Sequence, residues 1–595
     1  PANVFNRAGV VDNVYIALFQ ADPDRKPYWP GNVKKLKIGG DVSNPILVDA
    51  NGTSAVQDSD GRIRANALTF WTSTADPRLG QVDDNDTADN PSDDTPVGRD
   101  GRRVPRGGAG HKIPGYIAGS PGLRNADTGA RQIFYLNGSV LAPLDATAAN
   151  ASSLQAALKA ADSGESLKLL KYLRGLDPDS GNVRDWIMGD ALHSRPLPIN
   201  YGAASFEGVG TYSAGNPADL DDTGNPAIYI AVGSNDGYMR MIQNTTPGGT
   251  ESGREVWAFM PPEGMASQRP APNNFANQKL LFRNDPGSTP RHPYTVDGAP
   301  VSLVMDKNSD GTISGSDQVW LYFGLRRGGL SYYALDVTNP HDPAFKWKID
   351  NTQADFSELG LTFSTPKTGF VRLEGQAQPV PVLVFAGGYD DNKDRQDGVG
   401  TNDNEGRAIY VVNADTGALI WKAVGGGSTG PSGDARIYRH ADLLDSIPSD
   451  VAAVDTNGDD VLDRIVVGDS GGNIWRADLT GPDTAKWKLS RLARLGRHAG
   501  SGKVNDRRFF HEPDIVQTKD VNGAYDAILI ESGDRADPLD KGGVAENWLY
   551  MVRDNAIGVG KAADRVTAHD DLTDITSGNC SAADIPEACG NRGNG

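Results

Sequence analysis

The chain is short of three features that would each have indicated a familiar class of protein. It has no run of about 18 apolar residues, which a membrane-spanning helix requires. It has only 2 cysteines in 595 residues, too few for a disulfide framework. Basic residues are also scarce, because 58 lysines and arginines stand against 77 aspartates and glutamates, for a net charge of −19. Nucleic-acid binding needs a basic surface and is excluded, whereas an acidic chain is suited to binding cations.

Sequence motifs for catalysis are absent too. The chain contains no G-x-S-x-G, no H-E-x-x-H and no glycine-rich phosphate loop. Its 8 histidines are scattered, and we interpret His193, His292 and His511 as hydrogen-bonded structural residues rather than general bases. The sequence therefore predicts a protein that is not an enzyme.

The two cysteines, Cys580 and Cys589, lie close together near the end of the chain. Such a pair predicts a small disulfide loop in an oxidising compartment, and two unpaired thiols are the alternative. The chain begins PANVFNRAG, without an initiator methionine or a signal peptide, and ends NRGNG. We therefore expect a fragment of a longer precursor, from which closing strands are missing as well.

Glycine and proline punctuate the chain, with 71 and 37 copies, and most segments between them have the pattern of strands. In the first 80 residues VYIALF, VKKLKIGGDV, PILVDA and ALTFWT alternate or run apolar, which predicts β-strands. Residues 81–110 are acidic and then basic, and they predict a solvated surface loop. A cation held by Asp83, Asp84 and Asp86 is the less favoured interpretation of that loop.

One helical stretch interrupts this all-β pattern, between residues 150 and 175. Its leucines recur at steps of three and four residues, as on the buried face of a helix. The pair Ser163-Gly164 is expected to divide the stretch into two short helices, which form a small helical insertion. The leucines are Leu154, Leu158, Leu167, Leu170 and Leu173.

A repeat runs from about residue 185 to 555. In each unit an apolar strand ends in glycine, a glycine-containing turn follows, and later strands carry aspartate or asparagine and then tryptophan. A four-stranded sheet cannot bury both faces alone, so such units stack radially as the blades of a β-propeller; a pair of β-sandwiches is the alternative. The units exceed a plain blade of about 40–50 residues, so long loop insertions must hold the excess. The marker residues are Gly233, Gly324, Gly387, Gly468, Gly533, Trp257, Trp347, Trp421 and Trp487.

The segment DKNSDGTISGSD, residues 306–317, matches the calcium-loop pattern. Calcium takes six to eight hard oxygens, and alternate residues of a tight loop point oxygens at one centre. The flanking strands VSLVM and VWLYF place this loop in a β-hairpin rather than between helices, and a solvated turn is the alternative. The predicted ligands are the side chains of Asp306, Asn308 and Asp310, the carbonyl of Thr312, Ser314, and Asp317 at the twelfth position.

A second segment, the nine residues DTNGDDVLD, has the same alternation of oxygens between two strands. Its sixth position holds Asp460 where the pattern has glycine. A third stretch, with Asp520, Asn522 and Asp526, lacks an oxygen at the fifth position, and we interpret it as a β-turn. The predicted calcium ligands of the nine-residue segment are Asp455, Asn457, Asp459, the carbonyl of Val461, and Asp463.

Three strings make the chain similar to the C-terminal domain of the PilY family, the type IV pilus tip-associated adhesins of bacteria. They are YWPGNVKKLKI, YLRGLDPDSGNVRDWIMGDALHSRPLPINYG and VAAVDTNGDDVLDRIVVGDSGGNIWRADL. The resemblance implies a modified β-propeller of about seven blades in one domain, residues 1–595. It also implies secretion to the periplasm and cell surface, and association with minor pilins at the pilus tip. Calcium in the nine-residue loop is then expected to regulate pilus extension against retraction, hence twitching motility and attachment to host or abiotic surfaces.

Two other functions remain as alternatives. The string ADTGALIW, residues 414–421, is like the repeat of quinone-dependent dehydrogenase propellers, but the adjacent cysteines usual over the quinone are lacking. A pure scaffold for minor pilins, using a propeller face or an exposed sheet edge, differs from the adhesin only in its partner. Some family members are linked to integrin binding through Arg-Gly-Asp, a tripeptide that this chain does not contain.

Overall fold

Strands dominate the structure, a computed structural model, and its helices are few and short. Within the described ranges, no helix is long and apolar enough to cross a membrane. The structure describes residues 12–41, 44–57, 59–74, 79, 97–113, 131–214, 224–267, 276–288, 292–394, 401–496, 503–521, 523–535, 545–558, 561 and 566–575.

The chain divides into two compact units by its internal contacts. The first unit comprises residues 1–323, 327–329 and 334–346. The second comprises residues 324–326, 330–333 and 347–595. That residues 1–595 form one domain stays a prediction.

The first sheet forms where the apolar patterns predicted three strands. It consists of β1 (Asn13–Phe19), β2 (Gly31–Asp41) and β3 (Asn44–Val48), in that order. All of its pairs are antiparallel, and Leu36 of β2 is fully buried in a small apolar core with Ala55 and Ile63. Along β1, Asn13 and Tyr15 are buried, and the other residues are partly buried except for the exposed Phe19. The apolar pattern VYIALF predicted this strand.

The fourth strand predicted in this region, ALTFWT, is wrong, because residues 67–72 are irregular backbone with a turn at residues 70–71. Most of their apolar side chains are buried, but their amides do not join a ladder. The amide of Leu68 donates to the carboxylate of Asp49 at 3.0 Å. The amide of Thr69 donates to the carboxylate of Asp100 at 2.8 Å. Side-chain acceptors here replace a neighbouring strand, which hydrophobic patterning does not reveal.

The solvated loop predicted at residues 81–110 is wrong for its described part. Most of residues 100–110 are buried, and Asp100 is fully so. Its carboxylate forms an ion pair with the ammonium of Lys34 in β2 at 3.2 Å. A buried cation of the first sheet thus compensates a charge that composition alone assigned to the surface.

The next strands are β4 (Ile133–Asn137), β5 (Val140–Pro143), β6 (Leu197–Asn200), β7 (Ser205–Phe206), β8 (Gly210–Thr211), β9 (Ile228–Ser234), β10 (Tyr238–Gln243) and β11 (Glu255–Met260). Six of them form the second sheet in the order β5-β4-β11-β10-β9-β6, and β7 and β8 form a separate hairpin. Every residue of β9, β10 and β11 is buried. Arg240 of β10 is among them, and ion pairs with Asp236 and Glu255 at 2.5 and 2.9 Å compensate its charge.

Two helices, α1 (Ala148–Ser153) and α2 (Ser163–Arg174), occupy the predicted helical stretch, and its leucines pack against the second sheet. The division between the helices differs from the prediction, because Ser163 and Gly164 form the first turn of α2. The carboxylate of Asp162 accepts the amide of Glu165 at 2.8 Å and caps α2, and Gly175 ends it at φ 98°. Two shorter helices follow, α3 (Pro262–Met265) and α4 (Asn277–Arg283).

The third sheet consists of β12 (Val301–Met305), β13 (Gln318–Gly324), β14 (Ser331–Asp336) and β15 (Ala344–Asp350), in that order. β12 and β13 form an antiparallel hairpin whose last pair is Met305 with Gln318. The residues between them are the first segment predicted to bind calcium.

The fourth sheet consists of β16 (Lys367–Val371), β17 (Val380–Ala386), β18 (Ala408–Asn413), β19 (Leu419–Gly425), β20 (Gly430–Pro431) and β21 (Ile437–His440). The fifth begins with β22 (Ala452–Val454), β23 (Arg464–Gly468), β24 (Asn473–Asp478) and β25 (Lys488–Arg494). Trp421, Trp475 and Trp487 are buried in one apolar core with side chains of both sheets. These tryptophans contribute the large apolar area that holds neighbouring sheets together.

The last strands are β26 (Asp514–Asp520), β27 (Gly523–Glu531), β28 (Leu549–Asp554) and β29 (Thr567–Ala568). The first three form the sixth sheet, and β29 pairs in parallel with β25 of the fifth. One face of the sixth sheet, with Ile528, Ile530 and Tyr550, packs into an apolar core shared with residues of the fifth sheet.

Most of the repeat markers lie where the pattern placed them, but Trp487 directly precedes β25 and Gly533 lies two residues after β27. Gly324 and Gly468 are the last residues of β13 and β23, and Gly387 follows β17 directly. Trp257 of β11 and Trp421 of β19 are fully buried. The second to fifth sheets each have one edge strand that opens the repeat unit, namely β6, β12, β16 and β22, and we call these the leading strands.

Candidate metal site

Both predicted calcium loops join a leading strand to the next strand of the same sheet. The first loop (residues 306–317) connects β12 to β13, and the second loop (residues 455–463) connects β22 to β23. Antiparallel pairing closes the second loop as well, with Val454 opposite Arg464. The structure thus places every predicted ligand residue in one of two tight β-hairpin loops.

The two loops share a rare backbone conformation at two positions, counted from the first aspartate. At the fourth position, Ser309 and Gly458 have φ of 56° and 76°. At the sixth position, Gly311 and Asp460 have φ of 75° and 63°. Residues with a Cβ seldom adopt these angles, so their recurrence shows that the loops turn in the same way. Asp460, which departs from the pattern in sequence, has the conformation that glycine has in the first loop.

The first aspartate of each loop holds the sixth residue. Oδ2 of Asp306 accepts the amide of Gly311, and Oδ2 of Asp455 accepts the amide of Asp460, both at 2.7 Å. The second oxygen of the Asp306 carboxylate, Oδ1, is buried and has no hydrogen-bond partner. A buried carboxylate oxygen without a hydrogen-bond partner destabilises the fold unless a cation or a water molecule binds to it.

The third and fifth side chains turn the backbone in both loops. Oδ1 of Asn308 accepts the amide of Asp310 at 3.3 Å, and Oδ1 of Asp310 accepts that of Thr312 at 2.8 Å. In the second loop Asn457 and Asp459 accept the corresponding amides at 2.9 and 3.1 Å. The alternation of oxygens in the sequence therefore corresponds to successive turns in which a side chain accepts the amide two residues ahead.

The closing aspartate has the same role in two loops of different length. Asp317, at the twelfth position, accepts the amides of Lys307 and Ser314, each at 2.9 Å. Asp463, at the ninth position, accepts the amide of Thr456 at 2.9 Å and its hydroxyl at 2.7 Å. Both carboxylates thus hold the second residue of their loop. The hydroxyl of Thr456 is a contributor that the sequence pattern did not single out.

Backbone donors keep these carboxylates ionised. The amides of Ser314 and Lys307 hold the pKa of Asp317 below its ordinary value. Burial raises the pKa of Asp455, but the amides of Gly458, Asn457 and their neighbours donate to its carboxylate and bring the pKa below the ordinary value. Each loop therefore presents negative charge to a cation across the physiological pH range.

The first loop is also bound to the leading strand of the sheet before it in the chain. The amide of Ile313, at the eighth position, donates to the carbonyl of Tyr201, one residue after β6, at 3.0 Å. The amide of Ala203 donates to Oγ1 of Thr312 at 3.3 Å. A Cβ at Gly202 would lie 1.9 Å from the carbonyl oxygen of Gly311, so only glycine allows this approach.

The second loop repeats that arrangement with the fourth sheet. The amide of Leu462, again at the eighth position, donates to the carbonyl of Phe370 in β16 at 2.8 Å. A Cβ at Gly369 would lie 2.6 Å from Cδ1 of Leu462. Arg372 and Asp459 form an ion pair at 3.7 Å. Sequence reasoning missed these partners, and the apolar residue at the eighth position of each loop was the only signal.

The remaining predicted sites give different outcomes. Of the third stretch, Asp526 lies within β27 and not in the turn that precedes it. Its buried carboxylate is bound to the guanidinium of Arg464 at 2.6 Å, so this side chain is engaged away from the turn. Within the described ranges no three histidine, cysteine, aspartate or glutamate side chains form a group that could hold a metal ion. Calcium binding in either loop would therefore need amide and carbonyl oxygens as well, and it stays a prediction. Outside the described residues lie Asn522, Asp83, Asp84, Asp86, Cys580 and Cys589.

The histidines have partners within the fold. Nδ1 of His193 lies 2.7 Å from a carboxylate oxygen of Asp297. Nδ1 of His292 donates to the carbonyl of Pro27 at 2.8 Å, and the carbonyl of His511 accepts a serine hydroxyl. That none of the three acts as a general base stays a prediction.

Comparison with known proteins bears on the fold and the family. Residues 194–528 match the family model of the PilY1 beta-propeller domain. This chain belongs to the PilY1 family. The match covers more than half of the chain and confirms the resemblance found in the sequence and the β-propeller fold class. The number of blades stays a prediction.

Curated relatives are pilus proteins. A type IV pilus biogenesis factor PilY1 homolog of Xylella fastidiosa is 28% identical over 350 residues, 55% of this chain and 20% of that protein. Type IV pilus biogenesis factor PilY1 of Pseudomonas aeruginosa PAO1 is 29% identical over 319 residues, 52% of this chain and 22% of that protein. The chain thus spans about a fifth of the length of these PilY1 relatives.

Solved structures include a PilY1 domain. The crystal structure of the Pseudomonas aeruginosa PilY1 C-terminal domain aligns with 58% of this chain and 61% of that chain, at 21% sequence identity and a TM-score of 0.39.

The predicted calcium binding of this PilY1 family member is expected to be independent of pH between about pH 8 and 5 and to weaken below about pH 4. The pKa values of Asp317 and Asp455 are depressed in the folded loops. Their contribution is therefore present above the ordinary carboxyl pKa and is lost as the pH falls through the lowered one. Calorimetric titrations at several pH values measure this, and an affinity that weakens already between pH 7 and 6 would contradict it.

Replacing Gly311 or Gly458 with alanine should weaken calcium binding by roughly 5- to 30-fold, because a Cβ at a positive φ costs about 1–2 kcal/mol. Both residues have φ near 75°, and a Cβ at either would meet no atom within 4 Å, so strain alone is tested. Gly138→Ala, at φ 63° and with equally open space in the β4–β5 turn, is the matched control. It should destabilise the fold to a similar extent and leave calcium affinity unchanged.

Proposed function

We propose that this chain is the calcium-binding propeller of a type IV pilus biogenesis factor and adhesin, which regulates pilus extension and retraction, twitching motility and surface attachment. The names of its curated relatives support the pilus role. The calcium-loop pattern of the first and second loops supports the choice of calcium as the cofactor. Location in the periplasm, at the cell surface and at the pilus tip follows from the same role.

A single observation carries this proposal: two loops of different length and sequence share one hydrogen-bond framework. In both, the first aspartate holds the sixth amide, and the closing aspartate, Asp317 or Asp463, holds the second. A solvated turn has no need to repeat such a framework, whereas loops that point alternate oxygens at one centre are expected to share a fixed shape. The unpartnered Oδ1 of Asp306 fits the same interpretation.

The test of the proposal is a calcium titration of the chelator-treated chain, followed by thermal melting with and without calcium. We expect binding at two sites, and a melting temperature that rises with calcium as linkage requires. Calcium removal should loosen the loops locally rather than unfold the sheets, because each loop joins strands with packed cores of their own. Absence of heat together with a melting temperature indifferent to calcium would refute the proposed cofactor.

The regulatory role needs a test in cells. Bacteria that carry the full gene with Asp455→Ala are compared with those that carry Asp285→Ala, a change at an exposed aspartate just after α4 and outside both loops and β26. We expect the first change to alter twitching zones and pilus number and the second to leave both as in the parent strain. Equal zones in all three strains would contradict calcium control of the pilus through the second loop.

Minor pilins are the partners that we propose, with β26 as a candidate docking strand. β26 lies at an edge of the sixth sheet and is mostly exposed, with Val516 at 48% exposure. An extended pilin segment would add to such an edge through main-chain hydrogen bonds. In a pull-down with purified minor pilins, Val516→Glu should reduce capture. Val97→Glu, a change at a valine that is 68% exposed and lies outside the strands, should not.

A quinone-dependent dehydrogenase is the competing function, and no contact in the described residues favours it. Reconstitution with quinone and calcium, followed by dye reduction with alcohols, distinguishes the two. Dye reduction faster than that of the free quinone would show that the chain is a dehydrogenase and would contradict the proposed function.

A further inference from the structure

Each calcium loop reaches beyond its own sheet to the leading strand of the sheet before it in the chain. The first loop contacts the residues just after β6, and the second loop contacts β16. We propose that calcium closes each loop as a latch, which locks the loop's own sheet to the preceding sheet. This inference rests on the proposed calcium binding and adds what that binding does to the fold.

A single peptide group links the ion to the neighbouring sheet. In the first loop the carbonyl of Thr312 is a predicted calcium ligand, and the amide of the same peptide group belongs to Ile313, which donates to the carbonyl of Tyr201. A cation on a peptide oxygen polarises the group and strengthens its N–H as a donor, as in chains of hydrogen bonds. Calcium at the loop centre therefore tightens the bond to the preceding sheet.

The second loop contains the same link. The carbonyl of Val461 is a predicted ligand, and the amide of that peptide group belongs to Leu462, which donates to the carbonyl of Phe370 at 2.8 Å. Sequences and lengths of the two loops differ, and their partner strands are unrelated in sequence. An incidental contact would not be expected to recur in both loops. The amide at the eighth position nevertheless donates to the preceding sheet in each of them.

Packing supports the latch on both sides. Ile313 and Val461 are each only 7% exposed, and Leu462 packs against the apolar core that the fourth and fifth sheets share. At Gly202 and Gly369 the loop approaches so closely that a Cβ would collide with it. A calcium-free loop that loosens must therefore release packed side chains as well as one hydrogen bond.

Linkage sets the size of the expected effect. If opening of the latch requires release of the ion, calcium at a hundred times its dissociation constant makes the open state roughly 100-fold rarer. Amides of the preceding sheet that are protected by the latch should then exchange with deuterium roughly 100-fold more slowly, as measured by mass spectrometry. The informative peptides cover residues 199–204 and 367–372, which contain no predicted ligand.

Gly369→Val tests the second latch without touching a ligand. Its side chain would displace Leu462, whose Cδ1 is 2.6 Å from the Cβ position. Calcium should still bind, while the calcium-dependent protection of residues 367–372 is lost. Adding Leu462→Ala makes room for the valine and should restore part of that protection. Gly433→Val is the matched control, because a Cβ at Gly433 would meet no atom within 4 Å, and it should leave the wild-type response unchanged.

The outcomes separate the latch from the cofactor proposal. No calcium binding in the wild-type chain refutes the proposed function. Normal binding with slowed exchange confined to residues 306–317 and 455–463 overturns the latch and leaves the function intact. Equal protection of residues 367–372 in wild type and in Gly369→Val would also overturn it.

Discussion

Asp455→Asn and Asp306→Asn should each remove one of two calcium ions from the calorimetric titration, and the double variant should remove both. In both loops one oxygen of the first aspartate holds the sixth amide. The other oxygen has no partner in Asp306. In Asp455 it accepts the amides of Asn457 and Gly458. The charge of this carboxylate is what each loop offers a cation at its first position. Asparagine keeps one acceptor oxygen but loses the charge and presents an NH₂ group to the cation. Because ligand charge sets the affinity of such loops over several orders of magnitude, we expect affinity to fall roughly 10- to 100-fold at the altered loop.

The measurement distinguishes the two loops because each variant leaves one of them intact. Thermal melting supplies a second readout: calcium at a hundred times its dissociation constant stabilises a binding unit by about 2.7 kcal/mol, and the altered loop should lose that contribution. Asp514→Asn, which removes a charge from the exposed start of β26, should retain both ions. Retention of both ions in the double variant would show that calcium binds elsewhere.

Gly202→Ala should disrupt the first loop more than any other single methyl group that we consider. Gly202 has φ 66°, and its Cβ would lie 1.9 Å from the carbonyl oxygen of Gly311. That atom is backbone, so it cannot swing aside as the end of a side chain would. Strain at a positive φ and overpacking together cost about 2–5 kcal/mol. Denaturant unfolding should show this loss, and calorimetry should show loss of the first-loop calcium with the second retained.

Gly208→Ala is the matched control for Gly202→Ala. Gly208 has φ 71° and no atom within 4 Å of its Cβ position, so it carries the backbone strain without the collision. Its cost should be about 1–2 kcal/mol, and both calcium ions should remain. If Gly202→Ala and Gly208→Ala lose the same free energy of unfolding and both retain two calcium ions, the close approach of Gly202 to Gly311 does not hold the first loop in place.

Strands and loops were predictable where local pattern decides conformation. Alternating apolar residues predicted β1, and acids and asparagines at alternate positions predicted both hairpin loops. The prediction failed at ALTFWT, where an apolar run is buried without pairing, because Asp49 and Asp100 accept its amides from a distance in sequence. It failed again at residues 100–110, where Lys34 neutralises a buried aspartate. Both errors come from long-range polar partners, which leave no local periodicity.

The helical insertion shows the same limit on a smaller scale. Periodic leucines predicted the helices, but Asp162 as a cap moved the start of α2 onto the residues expected to break it. A serine and a glycine are unfavourable within a helix and acceptable in its first turn, where the backbone amides have no partner inside the helix and bond to side chains or solvent.

For the candidate site, residue types and their spacing sufficed to name the oxygens, because a loop of nine or twelve residues brings its own side chains together whatever surrounds it. Spacing alone could not predict that Asp460 adopts φ 63°. It also could not predict that Asp463 holds the second amide of its loop, as Asp317 does in the first loop. Nor could it name Tyr201 and Phe370 as the acceptors of the eighth amides, since those lie far away in sequence and reach the loops only when neighbouring sheets pack. The order of residues in each loop therefore determined which oxygens the loop presents. Only the tertiary structure decided which strand each loop contacts, because hydrogen bonds between residues far apart in sequence form only when the sheets pack together.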